Sequence, residues 1–276
     1  MPVPRGLPVH AGLAVGGGLS AVVAWWAIRR DAAAFAPVGH LSGWILLAIL
    51  VALTALSWRH RLATYPLGAV VTWSRLHLHL GWLSLVLYVF HTGRPFPGGW
   101  LTGALAALFY ALALSGLAAW GLNRTLPQRL ARREIEVLYE RIPGLRADLL
   151  KSADALAVEA LTSAVSTTLP DFYLARLRPF LERPRDHWRH LVNSAGSLPG
   201  LRRELADLDR YLDPRESALR QRLETLLRQK EDLDCHRALQ WALRVAGGIH
   251  QFLGSLLWLL VSWHLVLVFA FGGGRG

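Results

Sequence analysis

Five apolar stretches, each long enough to cross the hydrocarbon core of a membrane as a helix, dominate this sequence. They lie at about Val9–Ile28, Leu41–Trp58, Leu76–Thr92, Trp100–Leu122 and Val245–Phe271. A bilayer core about 30 Å thick requires roughly 20 helical residues. Because 53% of all residues are hydrophobic, the pattern predicts an all-α integral membrane bundle of five transmembrane helices and argues against a soluble protein.

One charged segment, between Asn123 and Arg244, interrupts the apolar stretches. It holds 22 of the 30 Lys and Arg residues and 18 of the 19 Asp and Glu residues. Leucines within it repeat at helical spacing, with charged residues on the other faces. The sequence therefore predicts spans one to four over 1–122, a helical insert over 123–244, and a fifth span over 245–276 that completes the bundle.

Prolines are expected to divide the insert into separate helices. The predicted breaks lie at Pro127, Pro143, Pro170, Pro179, Pro184 and Pro199. Asp213 followed by Pro214 is typical of a helix start, with the aspartate at the N-cap and the proline in the first helical position. No proline follows Pro214, so one long helix is predicted to run from there through the fifth span.

The distribution of arginines predicts the orientation in the membrane. Ten lie near span ends on one side: Arg5, Arg59, Arg61, Arg75, Arg124, Arg129, Arg132, Arg133, Arg237 and Arg244. Four lie on the other: Arg29, Arg30, Arg94 and Arg275. By the positive-inside rule the insert is cytoplasmic and the C-terminus is outside, as expected for a protein of a bacterial inner membrane. The first stretch lacks a small-residue cleavage site, which favours a retained span over a cleaved signal peptide.

The insert carries no motif for a nucleotide or a metal cluster. Cys235 is the only cysteine, which excludes a disulfide framework, a cysteine-built metal centre and covalent haem attachment. Positive and negative residues are interleaved, so nucleic-acid binding is not expected. Three acids, Glu231, Asp232 and Asp234, are interpreted as a solvated helix face. We expect the insert to be a docking domain for a partner protein.

Two apolar stretches hold histidines with the same spacing. His77 and His91 in the third span, and His250 and His264 in the fifth, are each 14 residues apart. Fourteen residues fall about 40° short of four helical turns, so each pair lies on one helix face, about 21 Å apart along the axis. His79 lies some 120° round the helix from His91 and is not expected to act with it.

The two histidine windows, residues 77–91 and 250–264, also share a glycine four residues after the first histidine. Gly81 and Gly254 occupy this position. Such a glycine either leaves room for a large planar ring or allows close helix packing. Spans three and five are expected to run in the same direction, so His77 would oppose His250 and His91 would oppose His264. Each facing pair suits one haem iron, because imidazole is a common haem ligand.

This arrangement resembles the di-haem cytochrome b pattern, shared in outline by respiratory cytochrome b and ferric-reductase-type membrane domains. The resemblance covers spans three to five. It implies two haem b groups, four ligands at His77, His91, His250 and His264, and passage of electrons across the membrane. The sequence lacks the Pro-Glu-Trp-Tyr segment of the respiratory quinol site. The implied partners are membrane lipid, iron–sulfur, flavin or multihaem cytochrome subunits, and quinone.

Two arginines next to the ligand positions could serve haem propionates. Arg75 precedes His77 by two residues and Arg94 follows His91 by three. Both could instead set the topology of the span. Two other functions fit the sequence: a transmembrane reductase of an external acceptor, and a non-redox membrane scaffold whose insert recruits partners. The scaffold predicts a colourless protein that tolerates replacement of each histidine.

Overall fold

The computed structural model describes residues 38–57, 70–131, 133, 137–163, 167–192 and 197–271. Every regular element within these ranges is helical, which confirms the all-α prediction. The predicted first span, Val9–Ile28, lies outside the described residues.

The helices are numbered in chain order within the described residues. The α-helices are α1 (Val38–Ser57), α2 (Val70–Thr92), α3 (Trp100–Leu130), α4 (Ile142–Ser163), α5 (Thr168–Phe172), α6 (Arg178–Glu182), α7 (His187–Leu191), α8 (Leu198–Asp207) and α9 (Pro214–Phe271). A π-helical turn, Tyr173–Leu177, joins α5 to α6. A 3₁₀ turn, Tyr139–Arg141, precedes α4, and another, Leu208–Tyr211, follows α8.

Two helices in the described part of the chain, α3 and α9, are long and apolar enough to cross a membrane. A shorter apolar segment, Leu41–Ser57, lies in α1. Only 17% of the apolar window in α3 and 6% of that in α9 is buried. A core helix of a soluble protein would be mostly buried, so this exposure favours contact with lipid.

The long helix predicted from Pro214 is confirmed, since α9 extends over 58 residues to Phe271. Its first turn forms a capping box. The Asp213 carboxylate accepts hydrogen bonds from the backbone N–H groups of Arg215 and Glu216, both at 2.7 Å. The Glu216 carboxylate accepts one from the backbone N–H of Asp213 at 2.9 Å. These bonds satisfy amide groups that a helix start otherwise leaves unpaired.

The predicted break at Pro127 is wrong, because α3 continues through this proline to Leu130. Pro127 lies in the last turn, and the backbone N–H of Ala131 still donates to its carbonyl at 2.9 Å. Leu126 is buried with Leu239 of α9. Burial of these leucines offsets the cost of a proline inside a helix, about 3 kcal/mol.

The predicted break at Pro179 is also wrong, because the chain is helical from Thr168 through the π-helical turn to Glu182. Pro184 lies between α6 and α7, and three further prolines mark helix starts. Pro143, Pro170 and Pro199 lie in the first turns of α4, α5 and α8. A proline is tolerated there because the first N–H groups of a helix have no partner within it.

The chain divides into two compact units. The first contains Met1–Leu114 and Leu253–Gly276, and the second contains Ser115–Phe252. The two boundaries between the units, after Leu114 and after Phe252, fall within the stretches predicted as the fourth and fifth spans.

Four helices contribute to one apolar core in the first unit. Its buried members are Leu46, Leu87, Tyr88, Ala106, Leu108, Phe109 and Leu257. The rings of Tyr88 and Phe109 stack with their centroids 4.6 Å apart. This core joins α2 to the part of α3 that precedes Ser115.

Side-chain contacts in the first unit set the helix directions. Near the start of α1, Trp44 contacts Phe269, with ring centroids 6.2 Å apart. Near its end, Thr54 accepts a hydrogen bond from the indole N–H of Trp258 at 2.8 Å. Helix α9 is therefore antiparallel to α1. Helix α2 ends with His91 at the start of α1, so α2 and α9 run in the same direction, in agreement with the sequence prediction.

The second unit buries one face of α9 in a helical domain. Residues from α4, α5, α6, α8, α9 and the π-helical turn form its main core, including Ala153, Leu156, Leu169, Tyr173, Leu177, Phe180, Leu205, Leu219, Leu223 and Leu227. A smaller cluster of Val137, Ile142 and Leu233 extends the packing along α9. The helical character predicted for the insert is confirmed.

Candidate functional site

The four proposed ligand histidines lie in two helices. His77 and His91 belong to α2, and His250 and His264 belong to α9. All four side chains are half-buried. Each interval of 14 residues is helical throughout, so the members of each pair share a helix face, as the sequence predicts. His250 lies in the second unit and the other three lie in the first.

His91 packs closely against α1. Its Nδ1 lies 3.2 Å from the hydroxyl oxygen of Ser42. Its ring lies so close to Gly43 that a Cβ atom there would be 3.0 Å from Cε1. A hydrogen bond at Nδ1 fixes the ring orientation and makes Nε2 the nitrogen suited to a metal.

His250 makes the same set of contacts with α3. Its Nδ1 lies 3.0 Å from the hydroxyl oxygen of Ser115. A Cβ atom added to Gly116 would again be 3.0 Å from the ring Cε1. The serine and the adjacent glycine thus recur with the same roles at two histidines.

Sequence reasoning missed both serine–glycine pairs. The signal was present, since Leu41-Ser42-Gly43 and Leu114-Ser115-Gly116 repeat one tripeptide in two apolar stretches. Their relation to the histidines depends on packing between helices, which a single sequence does not display.

His91 and His264 lie toward the same end of the first unit. His91 is beside the start of α1. Phe269 contacts Trp44 there, and His264 precedes Phe269 by five residues, about 7.5 Å along α9. The shared end agrees with the predicted pairing of these two histidines, and direct opposition of their rings stays a prediction.

The two window glycines have different surroundings. An added Cβ atom at Gly81 would meet no described atom within 4 Å. At Gly254 it would lie 3.9 Å from Leu112 Cδ1 of α3, an ordinary packing distance. Gly254 therefore contributes to helix packing, one of the two uses considered, while Gly81 faces open space.

The two candidate arginines lie at opposite ends of α2, and both are exposed. The carbonyl of Arg75 accepts a hydrogen bond from His79 Nδ1 at 2.6 Å. The His79 ring is therefore bound to the backbone of its own helix. Arg94 follows Gly93, whose φ of 66° ends α2 in a conformation that favours glycine. A role in binding propionates stays a prediction for both arginines.

The acids of α9 do not form the solvated face that the sequence indicated. The exposed fraction is 12% for Glu231, 14% for Asp232 and 1% for Asp234. That interpretation is wrong because Arg133, Arg146 and His190, from other parts of the second unit, lie against these acids. One local signal was available, since Lys230 precedes Asp234 by four residues and the two can pair on one helix.

Buried ion pairs hold these acids. Lys230 Nζ lies 2.6 Å from Asp234 Oδ2, and both side chains are 1% exposed. The ammonium also lies 3.9 Å from the Phe180 ring centre. Arg133 Nη1 lies 3.0 Å from Asp232 Oδ1. The Lys230–Asp234 pair lies within α9, whereas contacts from outside the helix attach α9 to the domain: Arg133 at Asp232, and the backbone N–H of Arg185, which donates to Asp234 at 3.0 Å.

A carboxylate and a histidine of this region have shifted pKa values. Burial raises the pKa of Glu231 to about 6, against the attraction of Lys230. Burial also lowers the pKa of His190, against the attraction of Asp234. His190 Nε2 and Glu231 Oε1 are 3.8 Å apart. Desolvation favours the neutral form of both side chains.

Among the described residues, no group of three or more His, Cys, Asp or Glu side chains is arranged to hold a metal ion. An axial pair of histidines on a haem is a different donor set, because the porphyrin supplies the other four ligands. No protein-family model, curated protein or solved structure matches the chain.

Proposed function

We propose that this protein is the membrane subunit of an electron-transfer complex, a di-haem b-type cytochrome that carries electrons between the quinone pool and partner redox proteins. The observation that supports the proposal most strongly is the repeated contact of His91 and His250 with a serine and a glycine of a neighbouring helix. His91 is the second histidine of the window 77–91, and His250 is the first histidine of the window 250–264.

In this proposal two haem b groups are held by four histidines. His77 and His250 bind the haem on the cytoplasmic side, and His91 and His264 bind the outer one. The donor set fits, since neutral imidazole is a good axial ligand and needs a partner at its other nitrogen for orientation. Ser42 and Ser115 provide that partner at Nδ1.

Each bound haem supplies one-electron redox chemistry at its iron. The protein sets the position and surroundings of both groups. Gly43 and Gly116 let neighbouring helices approach the histidine rings. Gly81 leaves space on the ligand face of α2, whereas Gly254 lets α9 pack against α3. The two exposed arginines, Arg75 and Arg94, stabilise propionate charge at the two surfaces.

The proposed topology has five spans with the helical domain in the cytoplasm of a bacterium. Helices α3 and α9 support membrane insertion by length and composition. Arginines at the span ends support the orientation. The cytoplasmic domain docks an iron–sulfur, flavin or multihaem cytochrome partner near the haem at His77 and His250, and quinone exchanges electrons with the bundle.

The proposal is tested by the reduced-minus-oxidised absorption spectrum of the purified full-length protein, with haem quantified per chain. We expect two non-covalently bound haems with the low-spin signature of bis-histidine ligation. A colourless protein, prepared with adequate haem supply, would contradict the proposal and favour the membrane scaffold. Reduction of an external acceptor without any quinone reaction would favour the transmembrane reductase.

A further inference from the structure

Three rings form an exposed cluster where α7 meets α9. The His187 ring packs edge-on to Trp241 with centroids 4.7 Å apart. Trp188 lies 6.3 Å from Trp241, also edge-on. Trp188 is nevertheless 70% exposed, and Val192, just after α7, is 77% exposed.

Helix α7 is firmly attached despite its exposed apolar side chains. The Arg129 guanidinium donates to the carbonyl of His190 and to that of Leu191, the latter at 2.8 Å. Leu191 packs against an apolar cluster of α3 and α9 that includes Leu126 and Leu239. The exposed surface is therefore held in place rather than carried on a loose loop.

The cluster lies beside the point where α9 becomes apolar. Trp241 precedes Val245, the start of the apolar stretch, by four residues, which is about 6 Å along the helix. Tryptophan is enriched at this depth of a membrane because its ring is apolar while its N–H can meet water.

Helix α3 marks the same level independently. It runs antiparallel to α9 in the second unit, with Ser115 beside His250 and Leu126 beside Leu239. Between them, Arg124 lies over the ring of the half-exposed Trp120, 5.9 Å from its centre. An exposed tryptophan with an arginine is the usual composition of a span end.

The charge around α7 suits a phospholipid surface. Arg189 is 58% exposed and lies 3.6 Å from Asp186, and Arg244, which pairs with Glu140, is 56% exposed. The cytoplasmic leaflet is the anionic one, and basic side chains beside a span interact with its phosphates. Trp188, Trp241 and Arg244 thus lie close to the start of the apolar stretch, at the height expected for lipid headgroups.

We propose that α7 with Trp188 and Val192 is a membrane-surface contact that rests in the headgroup layer and fixes the cytoplasmic domain against the bilayer. The occupant of the surface is phospholipid. This inference rests on the membrane insertion in the proposed function and is independent of haem binding. It assigns a role to the short helix that the redox proposal leaves unused.

The test uses full-length protein in nanodiscs of phosphatidylcholine and phosphatidylglycerol. In a Cys235→Ala background, Val192→Cys is labelled with an environment-sensitive fluorophore and exposed to a lipid that carries a nitroxide near its headgroup. Tyr211→Cys is the matched control. Tyr211 is also a well-exposed apolar residue of this domain, at 66%, but it precedes Val245 by more than 30 residues, roughly 45 Å or more of α9. Trp263→Cys, in the apolar stretch of α9, reports insertion.

We expect the nitroxide lipid to quench the label at position 192 about threefold more strongly than the label at 211, as for an interfacial side chain. Equal quenching at 192 and 211 would overturn the inference, whether or not position 263 is quenched. Haem content measured on the same nanodiscs reports separately on the proposed function. A colourless sample with strong quenching at position 192 would therefore contradict the redox proposal and still support the membrane contact.

Discussion

At the scale of single residues, the tightest steric contact lies between a glycine backbone and a histidine ring. A Cβ atom at Gly43 or Gly116 would lie 3.0 Å from the ring of His91 or His250. Such a distance is tighter than ordinary carbon contacts, so an alanine there forces the ring to move by a few tenths of an ångström. The hydrogen bond to the adjacent serine would move with it.

In the proposed di-haem protein, Gly116→Ala should therefore weaken haem binding at His250. We expect haem per chain to fall from about two towards one, because an axial ligand tolerates little displacement. Gly121→Ala is the matched control in the same helix, since a Cβ atom there meets no described atom within 4 Å. Haem content is measured on both purified variants. Equal occupancy in the two would contradict the assigned role of Gly116.

The buried pair of Lys230 and Asp234 should dominate the local stability of the domain. Asp234→Ala leaves a buried ammonium without its carboxylate, and we expect a loss of about 3–5 kcal/mol in unfolding free energy. Replacing both residues, as Lys230→Met with Asp234→Leu, also removes the buried ammonium and should cost less than Asp234→Ala, with a remaining loss because Arg146 and the backbone N–H of Arg185 lose their acceptor. Glu204→Ala breaks the exposed pair with Arg176 and should cost about 0–1 kcal/mol. Urea unfolding of the full-length protein would measure all three, and a double variant as unstable as Asp234→Ala would contradict the account.

Glu231 should give stability a measurable pH dependence. Its native pKa of about 6 exceeds the ordinary 4.5, so the native state binds the proton more tightly than the unfolded chain does. Stability from this group is thus present at low pH and lost as the pH rises from about 4.5 through 6. His190 acts oppositely, since its lowered pKa reduces stability as the pH falls below its ordinary 6.5.

Glu231→Gln isolates the carboxylate contribution. Relative to the native protein, the variant should gain roughly 2 kcal/mol of unfolding free energy between pH 4.5 and pH 7, because one pKa unit corresponds to about 1.4 kcal/mol. Urea unfolding at several pH values gives this difference. Glu159→Gln, at a half-exposed carboxylate, is the control. A difference between Glu231→Gln and the native protein that stays constant with pH would refute the assignment.

At the scale of elements, local signals in the sequence predicted helix starts well and helix ends poorly. Asp213 and Pro214 begin α9 as their residue types require. The end of α3 was misplaced at Pro127. A proline in the last turn of a helix lowers stability only slightly when neighbouring side chains are buried against another helix. Capping is encoded locally, whereas the balance between a proline and tertiary packing is not.

The capping box of α9 should make a modest but measurable contribution. Asp213→Ala removes the acceptor of two backbone N–H groups and should cost about 1 kcal/mol of unfolding free energy. Asp148→Ala is the comparison, since Asp148 is exposed within α4 and alanine favours a helix interior. Urea unfolding of both variants is sufficient. The account fails at this point if Asp213→Ala is as stable as Asp148→Ala.

At the scale of the whole molecule, periodicity and composition predicted the helical class, the charged insert and the long final helix. The shared direction of α2 and α9 followed from counting spans and agrees with the contacts of α1. The serine and glycine partners of His91 and His250 depend on which helices meet. The buried acids of α9 were missed for the same reason, since the arginines that cover them are distant in sequence.

The central claim is that four histidines hold two haems in the pairs His77 with His250 and His91 with His264. The most direct test counts haem per chain in single and double alanine variants. Each single variant should retain about one of two haems, the double variant of one pair should still retain about one, and the double variant of His91 and His250 should retain none. His79→Ala, whose ring is held by its own helix, should keep both. Full haem content in the His91 and His250 double variant would contradict the claim.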